Sequence, residues 1–463
     1  MQFNPSDDRE FPISRFESML KTNHVLFFDA QEFEMIASYY LDLGKIALSK
    51  KAVKLGLQQH PDDSRLTLLK IELFIFENKL KEAKILVREL KLSEPYNDEI
   101  YIQEASVLSK QNAHKKAIET LENALELDSD EIEVFSLIAM EYLFLDDYES
   151  AKYYFFRCLE QDEEDYAALY NVMFCFDMLD QREEAIAYLN MLLDKNPYCE
   201  IAWHQLGLQY SKDHSFEKAL GAFEFAIIAD ENFLGAYMEK GKVLEYTDRY
   251  EEAIANYQMT LELHDPTAFA YLRIGKCFEA LKQSKLALNY YEFAIDEDPL
   301  LDKSWIALAE YYLAQKNYRR ALHYINRAIS IDEENVLFWK LFGKINHRLK
   351  FLEKAEMGYR KSIELGNYEL ETWLTRADLL IVLQDFEQAT YALEQAREFH
   401  PENAEIQFRL AGLYFMMNAG EKGYYFLNAA LKIDPEFSIV LEELFPNIHR
   451  RPSVKEKIDS YTK

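Results

Sequence analysis

The chain has 463 residues, 81 of them acidic and 52 basic, which gives a formal net charge of −29. An excess of that size argues against non-specific attraction to nucleic acid or anionic lipid, and its first consequence is solubility. Hydrophobic residues make up 49% and aromatics 14%, with only 13 Gly and 11 Pro, so an ordered fold poor in loops is expected, without long disordered linkers.

From the N-terminus, Met1 to Phe11 is acidic and lacks the basic stretch followed by an apolar one that marks a secretory leader. No apolar run approaches the roughly 20 residues of a membrane span. Residues 1–29 carry Phe11, Ile13, Phe16, Leu20 and Val25 to Phe28, an apolar set suited to capping an exposed end of the structure that follows.

That structure repeats every 34 residues. Counted from Ala30, repeats begin at Ala30, Ser64, Asp98, Ile132, Tyr166, Glu200, Leu234, Ala268, Asp302, Val336, Leu370 and Ala404, and the twelfth ends at Phe437 without insertion or deletion. The twentieth position is small in all twelve, running from Ser49 and Ala83 to Ala389 and Gly423. The eighth is Gly or Ala in ten, the exceptions being Ile71 and Met173. Two small columns per repeat predict two close helix approaches, where a larger side chain would overpack at a cost of about 1 to 3 kcal/mol.

Around these columns apolar residues recur at helical spacing. Trp203, Leu206, Gly207 and Tyr210 form one stripe, and Phe216, Ala219, Phe223 and Ala226 form a second. Each repeat is thus read as two amphipathic helices, and short polar segments such as Ser211 to His214 force them antiparallel. Proline supports the same phase. Pro61, Pro95, Pro197, Pro299, Pro401 and Pro435 occupy the thirty-second position and Pro266 the next, so no repeat carries proline inside a helix, where it would cost about 3 kcal/mol. Acidic residues crowd the same joints, as in Asp128-Ser-Asp130, and are expected to cap the helices that follow.

These residues resemble the tetratricopeptide repeat (TPR) family, whose pattern sets Trp or Leu, Gly or Ala, Tyr, Ala, Phe or Tyr, Ala and Pro at seven places. The repeat from Ala268 matches it with Tyr271, Gly275, Phe278, Ala287, Tyr291, Ala294 and Pro299, whereas Ile71 and Gly56 depart from it in the first two repeats. The resemblance implies an all-α fold, a right-handed α-solenoid superhelix of about twelve helix-turn-helix repeats spanning 30–437. Residues 438–446, with Ile439, Leu441, Leu444 and Phe445, are read as a C-terminal capping helix, and 447–463 as a solvated basic tail.

No catalytic constellation emerges. Gly235 to Val243 comes near a phosphate-binding loop, but has one residue too many between the glycines and Val243 where Ser or Thr is needed. HExxH, GxSxG and GxGxxG motifs are absent, and the ten His are scattered. Asp128-Ser-Asp130 opens like a calcium loop without its Gly. Cys158, Cys175, Cys199 and Cys277 stand far apart with no CxxC pair, as suits a reducing cytoplasm. Some TPR proteins carry a separate catalytic domain, for which the flanks of this array leave little room. No enzyme activity, cofactor or metal is expected.

In the family the fifth, ninth and twelfth positions of successive first helices line a concave face. Here repeats four to six place Met140, Leu143, Tyr170, Phe174, His204 and Leu208 there, a candidate apolar binding patch unless crowding buries it. Lys242, Lys276 and Lys344 hold the ninth position in repeats seven, eight and ten, joined by Lys340 and His347. Such a row suits an acidic segment or a C-terminal carboxylate, while ion pairing with Glu245, Glu279 and Glu310 is the alternative. The Lys and Asn pattern of chaperone-binding TPR domains is not reproduced. The expectation is a cytoplasmic scaffold or adaptor holding a partner peptide or protein in the concave groove, without nucleic acid or membrane insertion. The alternative is a regulatory subunit acting on an enzyme or transcription factor through its ends or convex face.

Overall fold

Every 34-residue period folds into a pair of antiparallel helices, and the turn between them shows how the backbone enforces the pairing. In the computed structural model, which describes residues 5–22, 26–127, 130–263 and 267–462, the fifteenth position of each repeat has positive φ, from 54° at Asp180 to 66° at Gly44. The next residue then donates its N–H back to the carbonyl of the eleventh position, as in Asn317 N to Tyr312 O at 2.8 Å and Asp147 N to Tyr142 O at 3.0 Å. This left-handed C-terminal motif satisfies carbonyls that the helix end leaves open and turns the chain back on itself. Asn, Asp and His fill seven of these positions and Gly one, the residue types that tolerate the conformation best.

Among the described residues there are 28 α-helices, one short 3-10 helix and no strand. First helices start at Ala30, Ser64, Asp98, Glu131, Tyr166, Glu200, Leu234, Ala268, Asp302, Val336, Leu370 and Ala404. The fourth starts one residue ahead of its period because Asp130 caps it, accepting from Ile132 N at 3.0 Å. Asp63, Asp165, Thr267, Asn335 and Asn403 cap other first helices in the same way. Asp128, Ser129 and Pro266 lie outside the described residues.

The two small columns do different work. Alanines of the twentieth position are fully buried between paired helices. At the eighth position a glycine makes room for an aromatic ring from the same repeat: a Cβ on Gly241 would lie 2.5 Å from the Tyr257 ring, and one on Gly275 would lie 2.6 Å from that of Tyr291. Ile71, which breaks the small column, shares a buried cluster with Val87 at the ring position, so bulk has moved from one helix to the other. Gly56, the other departure, has the Phe33 and Leu66 side chains where its Cβ would be, at 3.1 and 2.9 Å.

The chain divides into two compact parts, Met1–Gln209 and Tyr210–Lys463. In the first, the helix Pro5–Thr22 buries Phe16 and Met19 against Phe33, Ile36 and Tyr40, with Phe28 in the same cluster. Ile13 and Leu20 are partly buried there, while Phe27 faces solvent; the Phe11 side chain and Val25 lie outside the described residues. In the second, the short helix Ile439–Leu444 buries Val440 and Leu441, and the Phe445 ring sits against Gly412. Ile439, expected to help cap that end, is instead exposed. The solvated basic tail is also corrected. Residues Pro452–Thr462 form a helix whose Val454 and Ile458 are buried in the same core cluster as Leu441, at i and i+4 on one face, and Tyr424 donates to Ser453 Oγ at 2.6 Å. Among the described residues no helix is long and apolar enough to cross a membrane.

Candidate partner-binding faces

Two clusters of side chains stand out on the first helices, one in each part of the chain. In the N-terminal part, the helix Glu131–Phe144 presents Met140 and the helix Tyr166–Met178 presents Tyr170 and Phe174, one and two turns into the same face. Their exposures of 37%, 41% and 45% decide against crowding as their fate. Met140 and Phe144 also line a cavity of about 380 Å³ with Ile75, Ile102 and Leu137. Phe174 meets Tyr148 edge to face with centroids 6.1 Å apart. Burial pushes the Tyr170 phenol up, against the pull of its hydrogen bond with Gln205. Leu143 and Leu208 are half-buried. His204 is only 8% exposed and offers a partner almost no surface, so the face is narrower than its sequence positions suggested.

In the C-terminal part, Lys340, Lys344 and His347 on the helix Val336–Arg348 line one cavity of about 470 Å³. Arg348, Lys350, Tyr359, Glu371, Thr372 and Thr375 complete its walls. Lys340 is ion-paired to Glu369, the last residue of repeat ten, which stands 29 residues on and just ahead of the first helix of repeat eleven. Lys276 and Lys344 are exposed and flank Glu310, whose carboxyl is pushed up by burial against the pull of the two lysines. Lys242 lies apart, paired with Glu239 at 2.6 Å and 5.7 Å from the centre of the Phe269 ring. Two of the acids expected to neutralise the lysine row are committed elsewhere: Glu245 pairs with Arg273 at 2.8 Å, and Glu279 accepts from the Tyr291 hydroxyl at 2.6 Å.

Several residues of these faces escaped the sequence reading. Arg348 follows Lys340 by eight and belongs to its stripe, a spacing that was legible; Thr372, Thr375 and Glu371 come from the next repeat and are brought in only by packing. Among the described residues no group of His, Cys, Asp and Glu is placed to hold a metal ion.

Tetratricopeptide repeat models match residues 98–131, 167–197, 302–335 and 380–441. Those stretches are tetratricopeptide repeats, and the fold of the chain is an all-α solenoid. Anaphase-promoting complex subunit 3 of Schizosaccharomyces pombe is 24% identical over 159 residues, 34% of this chain; the match spans only 24% of that protein's length. Among solved structures, one of the APC/C hetero-tetramer Cut9–Hcn1 is 13% identical, with a TM-score of 0.40, covering 86% of this chain and 92% of that one. A tetratricopeptide repeat protein from Parabacteroides merdae is 17% identical with a TM-score of 0.41, covering 54% of this chain and 98% of that one.

Proposed function

We propose that the protein is a non-enzymatic scaffold or adaptor that holds a segment of a partner protein on its first-helix face, the concave groove of the family. The observation that carries this reading is the exposure of Met140, Tyr170 and Phe174 on successive first helices, which persists although Phe174 touches Tyr148 and Tyr170 meets Gln205 of the neighbouring repeats. Apolar side chains aligned at i, i+4 spacing and left to water are the surface that an extended or helical segment buries. The name of the curated relative, a subunit of a larger complex, agrees with a protein–protein role. The reading includes a cytoplasmic location, which the wide spacing of Cys158, Cys175, Cys199 and Cys277 suits.

Crosslinking capture from native extract, comparing wild type with the quadruple variant Tyr170→Ala, Phe174→Ala, Lys276→Glu, Lys344→Glu, tests it. Capture should be lost with helicity and melting temperature unchanged; undiminished capture disposes of the groove reading. A second reading, regulation of an enzyme or transcription factor through the ends or convex face, is favoured by a cavity of about 700 Å³ in the first two repeats, lined by Val53, Leu57, Leu73 and Phe74 and by Lys50, Lys51, Lys54 and Lys70. In that case the quadruple variant still captures and Leu57→Glu does not.

A further inference from the structure

We propose that the basic cavity formed by repeats ten and eleven is a binding site for a phosphoryl group. The inference rests on the reading above, since a phosphorylated partner segment would lie on first helices of the C-terminal part, but its chemistry does not involve the apolar residues of the N-terminal part.

Lys340, Lys344, His347 and Arg348 stand at i, i+4, i+7 and i+8, one stripe of one helix, and Lys350 follows in the turn. Among the described residues, Lys344, Arg348 and Lys350 make no ion pair, and the cavity has Glu371 as its single acidic lining residue. In a chain of net charge −29, cations gathered around one concavity focus the field on an anion even with Lys340 paired to Glu369 and Lys344 near Glu310.

A second, independent observation lies in the cavity wall. Thr372 is 1% exposed, and its hydroxyl has no hydrogen-bond partner. Buried hydroxyls are nearly always paired, and this one, closed to water here, gains an acceptor where a bound oxygen draws it to the cavity surface. Tyr359 adds a hydroxyl that stays protonated, since burial first and then the charge of Glu371 push it up to about 12. A carboxylate brings one charge and two oxygens. A phosphate monoester brings close to two charges and three terminal oxygens, which matches cations and hydroxyls converging in such number.

The full-length chain can be titrated calorimetrically with one Gly-Ser peptide carrying phosphoserine, glutamate or serine at its centre, and separately with orthophosphate. The phosphoserine peptide is expected to bind saturably and about tenfold or more tighter than its glutamate counterpart. Lys344→Gln with Arg348→Gln should weaken it by about tenfold or more, and Thr372→Val should weaken it while Thr372→Ser does not. Melting temperature and helicity are checked in each variant. Orthophosphate binding as tightly as the phosphopeptide assigns the site to a free phosphate; weaker binding assigns it to a modified protein segment. Equal affinity for the phosphoserine and glutamate peptides, no saturable binding, or binding unmoved by Lys344→Gln with Arg348→Gln overturns the proposal. Because the Tyr170 and Phe174 face is untouched in these variants, capture that survives while phosphoryl binding fails separates this inference from the scaffold reading.

Discussion

At the scale of the residue, the turn between paired helices is where side-chain identity and backbone geometry conflict. Lys282, Lys316, Lys350 and Gln384 adopt positive φ without the short polar side chain that eases it, whereas Asp146 and Asp248 accept hydrogen bonds from Tyr148 and Tyr250 two residues on, at 2.8 and 2.6 Å. A left-handed conformation costs an ordinary L-residue roughly 1 to 2 kcal/mol. Lys316→Asn is therefore expected to raise the stability of the protein by up to about 1 kcal/mol, and Lys316→Val to lower it by about 1 kcal/mol or more, as read from denaturant midpoints at constant slope. Exposure, too, is decided residue by residue. Tyr170 and His204 share the fifth position of their repeats, yet one is open to solvent and the other buried. Position in the repeat sets which face a side chain points to, but its cover comes from the bulk of neighbouring helices.

At the scale of the element, the hairpin is stabilised by complementary volumes across its two helices. Gly275 lies against the Tyr291 ring, which is fully buried and pinned by its hydrogen bond to Glu279. Because the ring has nowhere to go, Gly275→Ala should destabilise the protein by about 1 to 3 kcal/mol although alanine is the better helix former. Tyr291→Leu in the same chain should recover part of that loss, and a double-mutant cycle measures the coupling. Additive losses would refute the pairing. The Ile71 and Val87 hairpin is this arrangement inverted by the sequence itself, and Tyr142 on Tyr154 and Tyr312 on Tyr324 add stacked rings across two further hairpins.

At the scale of the whole molecule, burying weakly acidic thiols and phenols at several places along the array has a collective effect on pH stability. Burial raises the thiols of Cys158 and Cys175 from 9.0 to about 11 and that of Cys277 to about 12. Tyr40, Tyr188, Tyr359 and Tyr414 rise from 10.0 to about 12, with burial the largest cause in each. A raised folded value means that the unfolded chain ionises first. The stability these groups contribute is whole below about pH 9 and is lost as pH climbs from there to about 12. Melting temperature should thus fall steeply above pH 9 to 10, and replacing Cys158 and Cys175 by Ala should reduce the first part of that fall. An unchanged melting temperature between pH 8 and 11 would contradict it. Repeat stabilities add through neighbouring interfaces, so the loss is shared along the chain instead of opening at one point.

The period of 34, the paired helices and the small columns could be read from the sequence because helical spacing and side-chain volume are local properties that every repeat restates. The same register named the first-helix positions that Met140 and Phe174 hold in the N-terminal part and Lys340 and Lys344 hold in the C-terminal part. Tertiary structure alone decided which of those side chains stay open, that Val454 and Ile458 dock the C-terminal segment onto the last repeat, and that Thr372 joins Lys344 and Arg348 around one cavity. Those outcomes depend on groups far apart in the chain meeting across a packed interface, and no periodicity within a single repeat encodes how the neighbour's bulk will cover or leave them.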